Sequence, residues 1–594
     1  MALTLCHITS NPKSFFDLSI QKNNFTQILR QKSSQHYAIK CEAKNNAMQT
    51  TNYKQSVWSH EFINGLDTNV SMNWNEKMAK VEKLEDDVMK MIMDYENDGS
   101  STLTLLLELV DNIERLGLGY RFQTNIMRAL NKVASLNDQH DLRLEEDNLH
   151  AVSLKFRLLR QHGYSVCEDF LERFKDIDGG LRGFLGKADV KSLLSLYEAS
   201  YLALEGETSL HEAKLMATEI LLKLNRLENE AMYDQVNHAL ETPLYRRMLR
   251  LEARWYIDAY GKQEDANKLL LELAILDFNM VQTTHKKDLQ EVSKWWKDIG
   301  LARKLSFIRD RIMECFFGSV GGTFEPQYSS CRLGITKVFA LINTIDDIFD
   351  HYGSLDELKV FNSAVKRWDI NAIEAMPEYL QVGFLALFNT VNEIGYDTLI
   401  AQGRNPIPIL AKVWGDLFEA FMVEARWSGS NHMPTLAEYL DNAWRSVAGM
   451  VTLTHGYFLI NQEVNKDATK SLDKCHDLYK WSSMIARLYN DLAASSDEIE
   501  KGVNAISCYM NDQSVSEEVA REHIESLVDK AWMKMIEARI SCSGELADPV
   551  IETAINQARV VQCIYQYGDK VKSPDATTKA GILSMLIQPI TIRK

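Results

Sequence analysis

Apolar residues recur at the spacing of an α-helix along most of the chain after residue 58. Between residues 101 and 119 they are separated by one to three positions and fall on one helical face, and Gly117 lies where such a helix can end. Residues 382–396 repeat the pattern. Strict alternation of apolar and polar positions, which would indicate strands, is scarce. The pattern therefore predicts an all-α fold.

Composition agrees with long helices. The chain has 594 residues but only 10 Pro and 28 Gly, so helix-breaking residues are rare. Its length allows up to about four domains, fewer if the helical domains are large. No Pro- or Ser-rich linker divides the chain, so a boundary near 270–285 is inferred only from the placement of motifs.

Charge and cysteine content exclude several classes of protein. Lys and Arg number 66 against 82 Asp and Glu, which gives a net charge of −16 and disfavours binding to nucleic acid or to an anionic membrane. A local basic site for an anion remains open. The 9 cysteines form no CxxC motif and indicate free thiols rather than a zinc ribbon.

No apolar run reaches about 18 residues, so no transmembrane helix is predicted.

The first residues differ in composition from the rest. Residues 1–41 contain five basic side chains, several serines and Asp17 as the single acid. This composition is typical of an organelle transit peptide, which we assign to residues 1–45 and to a plastid. A merely disordered N-terminus is the alternative.

The strongest chemical motif is the acidic run that begins at Asp346. On a helix, Asp346 and Asp350 share one face, whereas Asp347 points aside. Two like charges in an apolar helical stretch are costly without a cation, and paired carboxylates with phosphate oxygens commonly hold magnesium. A solvated acidic surface is the plainer interpretation of the same residues.

Two further motifs accompany it. Asn490, Ala494 and Glu498 have the spacing i, i+4 and i+8, which predicts one stripe on a helix. Arg309 and Arg311 precede the acidic run, and arginine suits phosphate because its forked donors stay charged.

Together these motifs resemble those of plant class I terpene synthases, notably the angiosperm branch of monoterpene synthases and isoprene synthases. The resemblance extends from about Asn52 to the C-terminus. It rests on these segments, in the order of that family: NYKQSVW (52–58), LRLEARW (249–255), LLELAILDFNMVQ (270–282), SKWWKDIGL (293–301), FEPQYSSCR (324–332), DDIFD (346–350) and RLYNDL (487–492).

The resemblance implies two helical domains, an N-terminal relic helical barrel over residues 46–275 and a catalytic class I bundle over residues 276–594. It also implies three Mg²⁺ or Mn²⁺ ions. The implied metal ligands are Asp346, Asp350, Asn490 and Glu498. The residues implied to receive the diphosphate are Arg309, Arg311 and Arg487. Tyr565 is implied as a wall of the substrate pocket, and an ordinary core tyrosine is the alternative.

The sequence departs from the family pattern in several places. Ala494 stands where Ser or Thr is usual, which predicts weaker binding of the third metal. The loop at residues 502–505 is about two residues short. Met48 and Gln49 replace a tandem arginine pair that is associated with cyclisation, and Gly318 replaces a common tryptophan. The last two departures favour acyclic products.

We therefore expect a plastid enzyme that ionises geranyl diphosphate and releases linalool, ocimene or myrcene. One alternative is a synthase that makes nerolidol or farnesene from farnesyl diphosphate. Isoprene synthase is another, favoured by Phe339 but not by Ala486, since that enzyme has a second aromatic there. A non-catalytic helical binding protein is the third. The expected partner is a small allylic diphosphate, and we expect a monomer, with a homodimer as the alternative.

Overall fold

The computed structural model describes residues 56–68, 74–97, 103–135, 148–176, 179–224, 229–430, 432–460, 468–496, 502–542, 548–566, 568–569 and 574–591. The predicted leader, residues 1–45, lies outside these ranges, as do Met48, Gln49 and Glu498. Within them the elements are helices, with an isolated bridge between Gln566 and Gly568, so the predicted all-α fold is confirmed. No described helix is long and apolar enough to cross a membrane.

The first group of helices precedes the motifs of the site. These helices are α1 (His60–Asn64), α2 (Trp74–Asn97), α3 (Leu103–Arg115), α4 (Gln123–Ser135), α5 (Leu149–Gln161), α6 (Arg182–Leu185), α7 (Val190–Ser200), α8 (Thr208–Leu222), α9 (Glu230–Glu241) and α10 (Leu249–Tyr260).

The second group surrounds the site. These helices are α11 (Lys268–Ile299), α12 (Leu301–Lys304), α13 (Ile312–Gly322), α14 (Ser329–Asp347), α15 (Leu355–Arg367), α16 (Glu378–Gln402), α17 (Ile407–Ser430), α18 (Leu436–Ser446), α19 (Gly449–Ile460), α20 (Ala468–Leu492), α21 (Ala505–Gln513), α22 (Glu517–Cys542), α23 (Asp548–Tyr565) and α24 (Ala576–Ile582). Turns of π-helix follow α14 and α24 at Ile348–Tyr352 and Leu583–Ile587.

Helix α11 joins the two parts of the molecule. It begins at an Asn267 side chain that accepts hydrogen bonds from the backbone N–H groups of Leu269 and Leu270, and it ends at Gly300 in the left-handed conformation. Its first half packs in a core with α2 to α5, and its second half packs in the larger core that surrounds the site. The helix is continuous through residue 275, so the domain boundary proposed there stays a prediction based on motifs.

A buried ion pair ties α11 to α14, the helix that ends in the acidic run. The Arg332 guanidinium, which is fully buried, donates to Oδ2 of Asp288 from Nε at 2.9 Å and from Nη2 at 2.8 Å. The Ser329 hydroxyl donates to the other carboxylate oxygen of Asp288. Since both charges are buried and hydrogen-bonded, the pair fixes how α14 lies against α11.

Replacing Asp288 with Ala should destabilise the protein, because the Arg332 charge would stay buried without its partner. We expect the free energy of unfolding to fall by about 3–5 kcal/mol. Urea denaturation followed by circular dichroism measures this loss. Asp298→Ala, at an exposed position of the same helix, is the matched control and should change the stability by less than about 0.5 kcal/mol. Equal stability of the two variants would contradict the role given to the ion pair.

Candidate active site

A cavity of about 360 Å³ opens between the helices of the second group. Its walls come from α13, α14, α17, α18, α19, α20 and α23. The volume falls within the range of about 300–1,000 Å³ that is usual for small-molecule sites. Carboxylates and arginines line part of the cavity, and aliphatic and aromatic side chains line the rest.

Asp346 and Asp350 both line this cavity, as their spacing predicts. Asp346 lies at the end of α14 and Asp350 in the π-helical turn that follows. Although Asp350 is exposed at the mouth, the surrounding protein partly desolvates its carboxylate, and the charges of Asp346 and Glu424 add to that effect. All three causes raise the pKa of Asp350. A bound cation would relieve this repulsion.

Asp347 points away from the cavity, also as predicted, but it has a role that the sequence analysis did not assign. It is buried, and its carboxylate accepts a hydrogen bond from the backbone N–H of Arg309 at 2.7 Å. It also forms an ion pair with Nε of Arg309 at 2.9 Å. Nη2 of Arg309 donates to Asp346 at 2.5 Å. The middle aspartate therefore holds Arg309 at the cavity wall, next to the first carboxylate.

Arg487 reaches the cavity from α20, on another wall. Its Nη2 donates to the Ser446 hydroxyl at 2.9 Å, and its Nη1 donates to the Asn490 side chain at 3.3 Å. Burial acts to lower the pKa of Arg487, but Tyr439 and the carboxylates of Glu424 and Asp491 raise it overall. The guanidinium therefore stays charged inside the protein.

Glu424 and Ser446 are site residues that the sequence analysis missed. Both line the cavity, and the Ser446 hydroxyl donates to the Glu424 carboxylate at 2.5 Å. Glu424 in turn lies 3.7 Å from Nη2 of Arg487. They belong to separate helices, α17 and α18, so no sequence spacing could have connected them to Arg487.

The prediction of a helical stripe through Asn490, Ala494 and Glu498 is wrong for its middle position. Asn490 lines the cavity, but α20 ends at Leu492. The Arg521 guanidinium caps this end of the helix by donating to the carbonyls of Leu492 at 2.8 Å and Ala494 at 2.7 Å. Ala494 packs against the hydrophobic core instead of lining the cavity. Glu498 lies outside the described residues.

The remaining predicted residues divide between the wall and the interior. Tyr565, the last residue of α23, lines the cavity. Arg311 is the N-cap residue of α13, is 2% exposed, and donates from Nη1 to the Asp310 carbonyl at 2.9 Å. It is not part of the cavity wall, so its predicted contact with a diphosphate stays a prediction.

The apolar part of the wall contains the three positions that bear on substrate length. Gly318, Phe339 and Ala486 all line the cavity. A β-carbon at position 318 would lie 3.6 Å from the Phe339 ring and 3.7 Å from Val560, both ordinary contact distances. Larger side chains at 318 or 486 would therefore occupy space that is open in this protein.

The donor set at the mouth fits a hard divalent cation. Asp346 and Asp350 supply carboxylate oxygens, and Asn490 supplies an amide oxygen on another wall. Magnesium is usually bound by one or two carboxylates, with water and substrate phosphates as its other ligands. Among the described residues, no group of three or more His, Cys, Asp or Glu side chains could hold a metal ion by itself. Water and substrate phosphates would therefore have to supply the remaining ligands.

Several known proteins are similar to this chain in sequence and in fold. Residues 297–534 match the metal-binding domain of the terpene synthase family, and residues 57–240 match the terpene synthase N-terminal domain. The (E)-beta-ocimene synthase of Matricaria chamomilla var. recutita is 62% identical over 99% of both chains. The isoprene synthase of Populus alba is 45% identical over 96% of this chain and 95% of its own.

Solved structures agree with the sequence comparisons. Isoprene synthase from grey poplar leaves superimposes with a TM-score of 0.82 at 45% identity, covering 91% of this chain and 99% of that one. A limonene synthase gives a TM-score of 0.85 at 36% identity, covering 92% and 100%. The resemblance stated from the motifs is thus confirmed, and the chain belongs to the terpene synthase family, with both its N-terminal and its metal-binding helical domains.

Proposed function

We propose that this protein is an acyclic monoterpene synthase. It ionises geranyl diphosphate with a divalent metal and releases diphosphate with ocimene, myrcene or linalool. The observation that carries the proposal is a cavity with carboxylates and arginines at its mouth and apolar walls beyond them. The 62% identity to an (E)-beta-ocimene synthase supports proton loss from an acyclic cation as the final step, and linalool has no such support.

The metal assignment follows the positions of the oxygen ligands. Asp346 and Asp350 would hold two of three ions, Mg²⁺ or Mn²⁺, and Asn490 with Glu498 would hold the third. The structure of grey poplar isoprene synthase with three Mg²⁺ ions supports this number. When bound, the ions neutralise the charge that develops on the departing diphosphate.

The arginines act on the same leaving group from the protein side. Arg309 and Arg487 lie on different walls of the cavity and stay charged, so they can bind phosphate oxygens from two directions. Arg311 would complete this set. In the structure Arg309 is paired with Asp346. It can exchange that partner for phosphate while Asp347 keeps its backbone and Nε in place.

The apolar walls determine what happens to the cation. Phe339, Phe421 and Tyr565 present aromatic side chains to the cavity. Each such face stabilises a nearby cation by about 0.5–2 kcal/mol. The same walls exclude water, which would otherwise capture the cation.

Small residues at two positions of the cavity wall favour a ten-carbon substrate. Ala486 and Gly318 place no aromatic side chain there to shorten the cavity, so isoprene formation is the weaker alternative. The openness at Gly318 keeps farnesyl diphosphate, with nerolidol or farnesene as products, as a second alternative.

Relatives named chloroplastic support a plastid location, where residues 1–45 would serve as the transit peptide.

Two organisational proposals accompany the function. Residues 46–275 would form the N-terminal helical domain and residues 276–594 the catalytic domain. The protein would act as a monomer, with a homodimer as the alternative.

Product analysis tests the function directly. The protein should be incubated with magnesium and, separately, geranyl, farnesyl and dimethylallyl diphosphate, and the products separated by gas chromatography. We expect an acyclic ten-carbon product that is absent with EDTA. A cyclic product would refute the acyclic inference and keep the enzyme class. Absence of diphosphate release with every substrate would favour a non-catalytic binding protein.

Replacing Asp346 with Ala should abolish turnover while the helical fold remains. The change removes a metal ligand, so kcat should fall by at least about 100-fold. Diphosphate release measures turnover, and circular dichroism measures the fold. Asp356→Ala, an exposed carboxylate on α15, is the matched control and should keep full activity. Full activity of Asp346→Ala would refute the metal assignment.

Replacing Ala486 with Phe should shift preference toward a shorter substrate. Overpacking of a wall costs about 1–3 kcal/mol. The kcat/KM for geranyl diphosphate should therefore fall about tenfold or more relative to that for dimethylallyl diphosphate. Gly318→Ala is the control, because its β-carbon fits at contact distance and should change the ratio less than about threefold. An unchanged ratio in Ala486→Phe would show that position 486 does not limit chain length.

A further inference from the structure

One carboxylate in the cavity has no part in the metal and diphosphate chemistry described above. Glu314 lies in the first turn of α13, and Gly318 lies one turn further along the same face. Both line the cavity. Since α13 begins directly after Arg309 and Arg311, its first turn lies between the arginines and the apolar wall at Gly318. The first carbons of a bound allylic diphosphate would lie in this region.

The carboxyl group of Glu314 is buried and only partly hydrogen-bonded. The residue is 5% exposed, and its Oε2 has no hydrogen-bond partner among the described residues. A buried carboxylate oxygen without a hydrogen-bond partner costs stability, so its presence at the cavity wall calls for an explanation.

Glu314 also borders a second cavity, of about 350 Å³, against α24. Thr577, Thr578 and Ser584 are among the residues that line this cavity.

We propose that Glu314 is the catalytic base that ends the reaction by removing a proton from the acyclic cation. This inference rests on the proposed function. The diphosphate leaves with the electron pair of the C–O bond. The C–H electron pair next to the cationic centre then becomes the new C=C bond, and the proton bonds to a carboxylate oxygen of Glu314. Water later takes that proton, which restores the carboxylate.

The electrostatic surroundings suit this role. Burial raises the pKa of Glu314, while its own backbone N–H and Arg311 lower it and Asp310 raises it, with a net increase. A base whose pKa lies closer to the working pH binds the transferred proton more readily than an ordinary surface glutamate does.

The test compares two quantities. Diphosphate release measures how often the cation forms, and the yield of alkene per diphosphate measures how often the cation loses a proton. Glu314→Gln keeps the size of the side chain and removes the base. Because ionisation comes before proton loss, diphosphate release should stay within about threefold of the unaltered protein. The amount of acyclic alkene per diphosphate released should fall about tenfold or more, with alcohols from water capture replacing it. An unchanged yield of alkene per diphosphate would overturn the proposal and assign the base to the diphosphate or to water.

Two further variants make the result specific. Glu325→Gln removes another largely desolvated glutamate, which lies outside this cavity and whose pKa is also raised by burial. This variant should leave the product ratio unchanged.

Glu314→Asp keeps the carboxylate but shortens its reach, so its alkene yield should lie between those of the unaltered protein and Glu314→Gln. It also provides the test if Glu314→Gln does not fold, since an alkene yield equal to that of the unaltered protein would then contradict the proposal. Absence of diphosphate release by the unaltered protein would refute the proposed function instead.

Discussion

The concentration of negative charge at one end of an apolar cavity is the constraint on which the rest of the structure depends. Asp346, Asp350 and Glu424 face the same space. Burial raises the pKa of Asp350 and of Glu424, and repulsion from neighbouring carboxylates raises both further. The folded protein therefore carries an electrostatic cost that binding of cations removes, and this difference drives metal binding.

The helices around the site keep these charges in place. Arg332 and Asp288 lock α14 against α11, so the acidic run ends at a fixed point of the cavity. On the opposite wall, α18 and α19 are separated by a break at Ala448, which has a φ of 64°. Gly449 follows it, and a β-carbon there would lie 2.2 Å from the Ser483 hydroxyl oxygen. Glycine is required at this position because α20 approaches so closely.

Much of this arrangement could be predicted from the sequence, for physical reasons that differ between residues. Helical periodicity and the shared face of Asp346 and Asp350 are local properties, so spacing alone predicts them. Arg521, whose guanidinium caps the end of α20, lies on α22 and contacts the carbonyls of Leu492 and Ala494 only after folding. Glu424 and Ser446 meet Arg487 only through tertiary packing. Sequence patterns therefore identified the charged motifs but not the residues that position them.

Whether the product is acyclic or cyclic depends on which side chains lie beside each part of the substrate. A cation ends by ring closure, by capture of water or by proton loss, and the fastest of these steps decides. Ring closure needs the far end of the chain to fold back onto the first carbons, and Gly318 presents no aromatic face that would stabilise a cyclic cation. Glu314 lies on the same wall, one helical turn nearer to the arginines. Proton transfer to a neighbouring carboxylate requires little movement of the chain, whereas cyclisation requires a large one. A base placed near the first carbons can thus remove the proton before the ring closes, which favours the acyclic alkene.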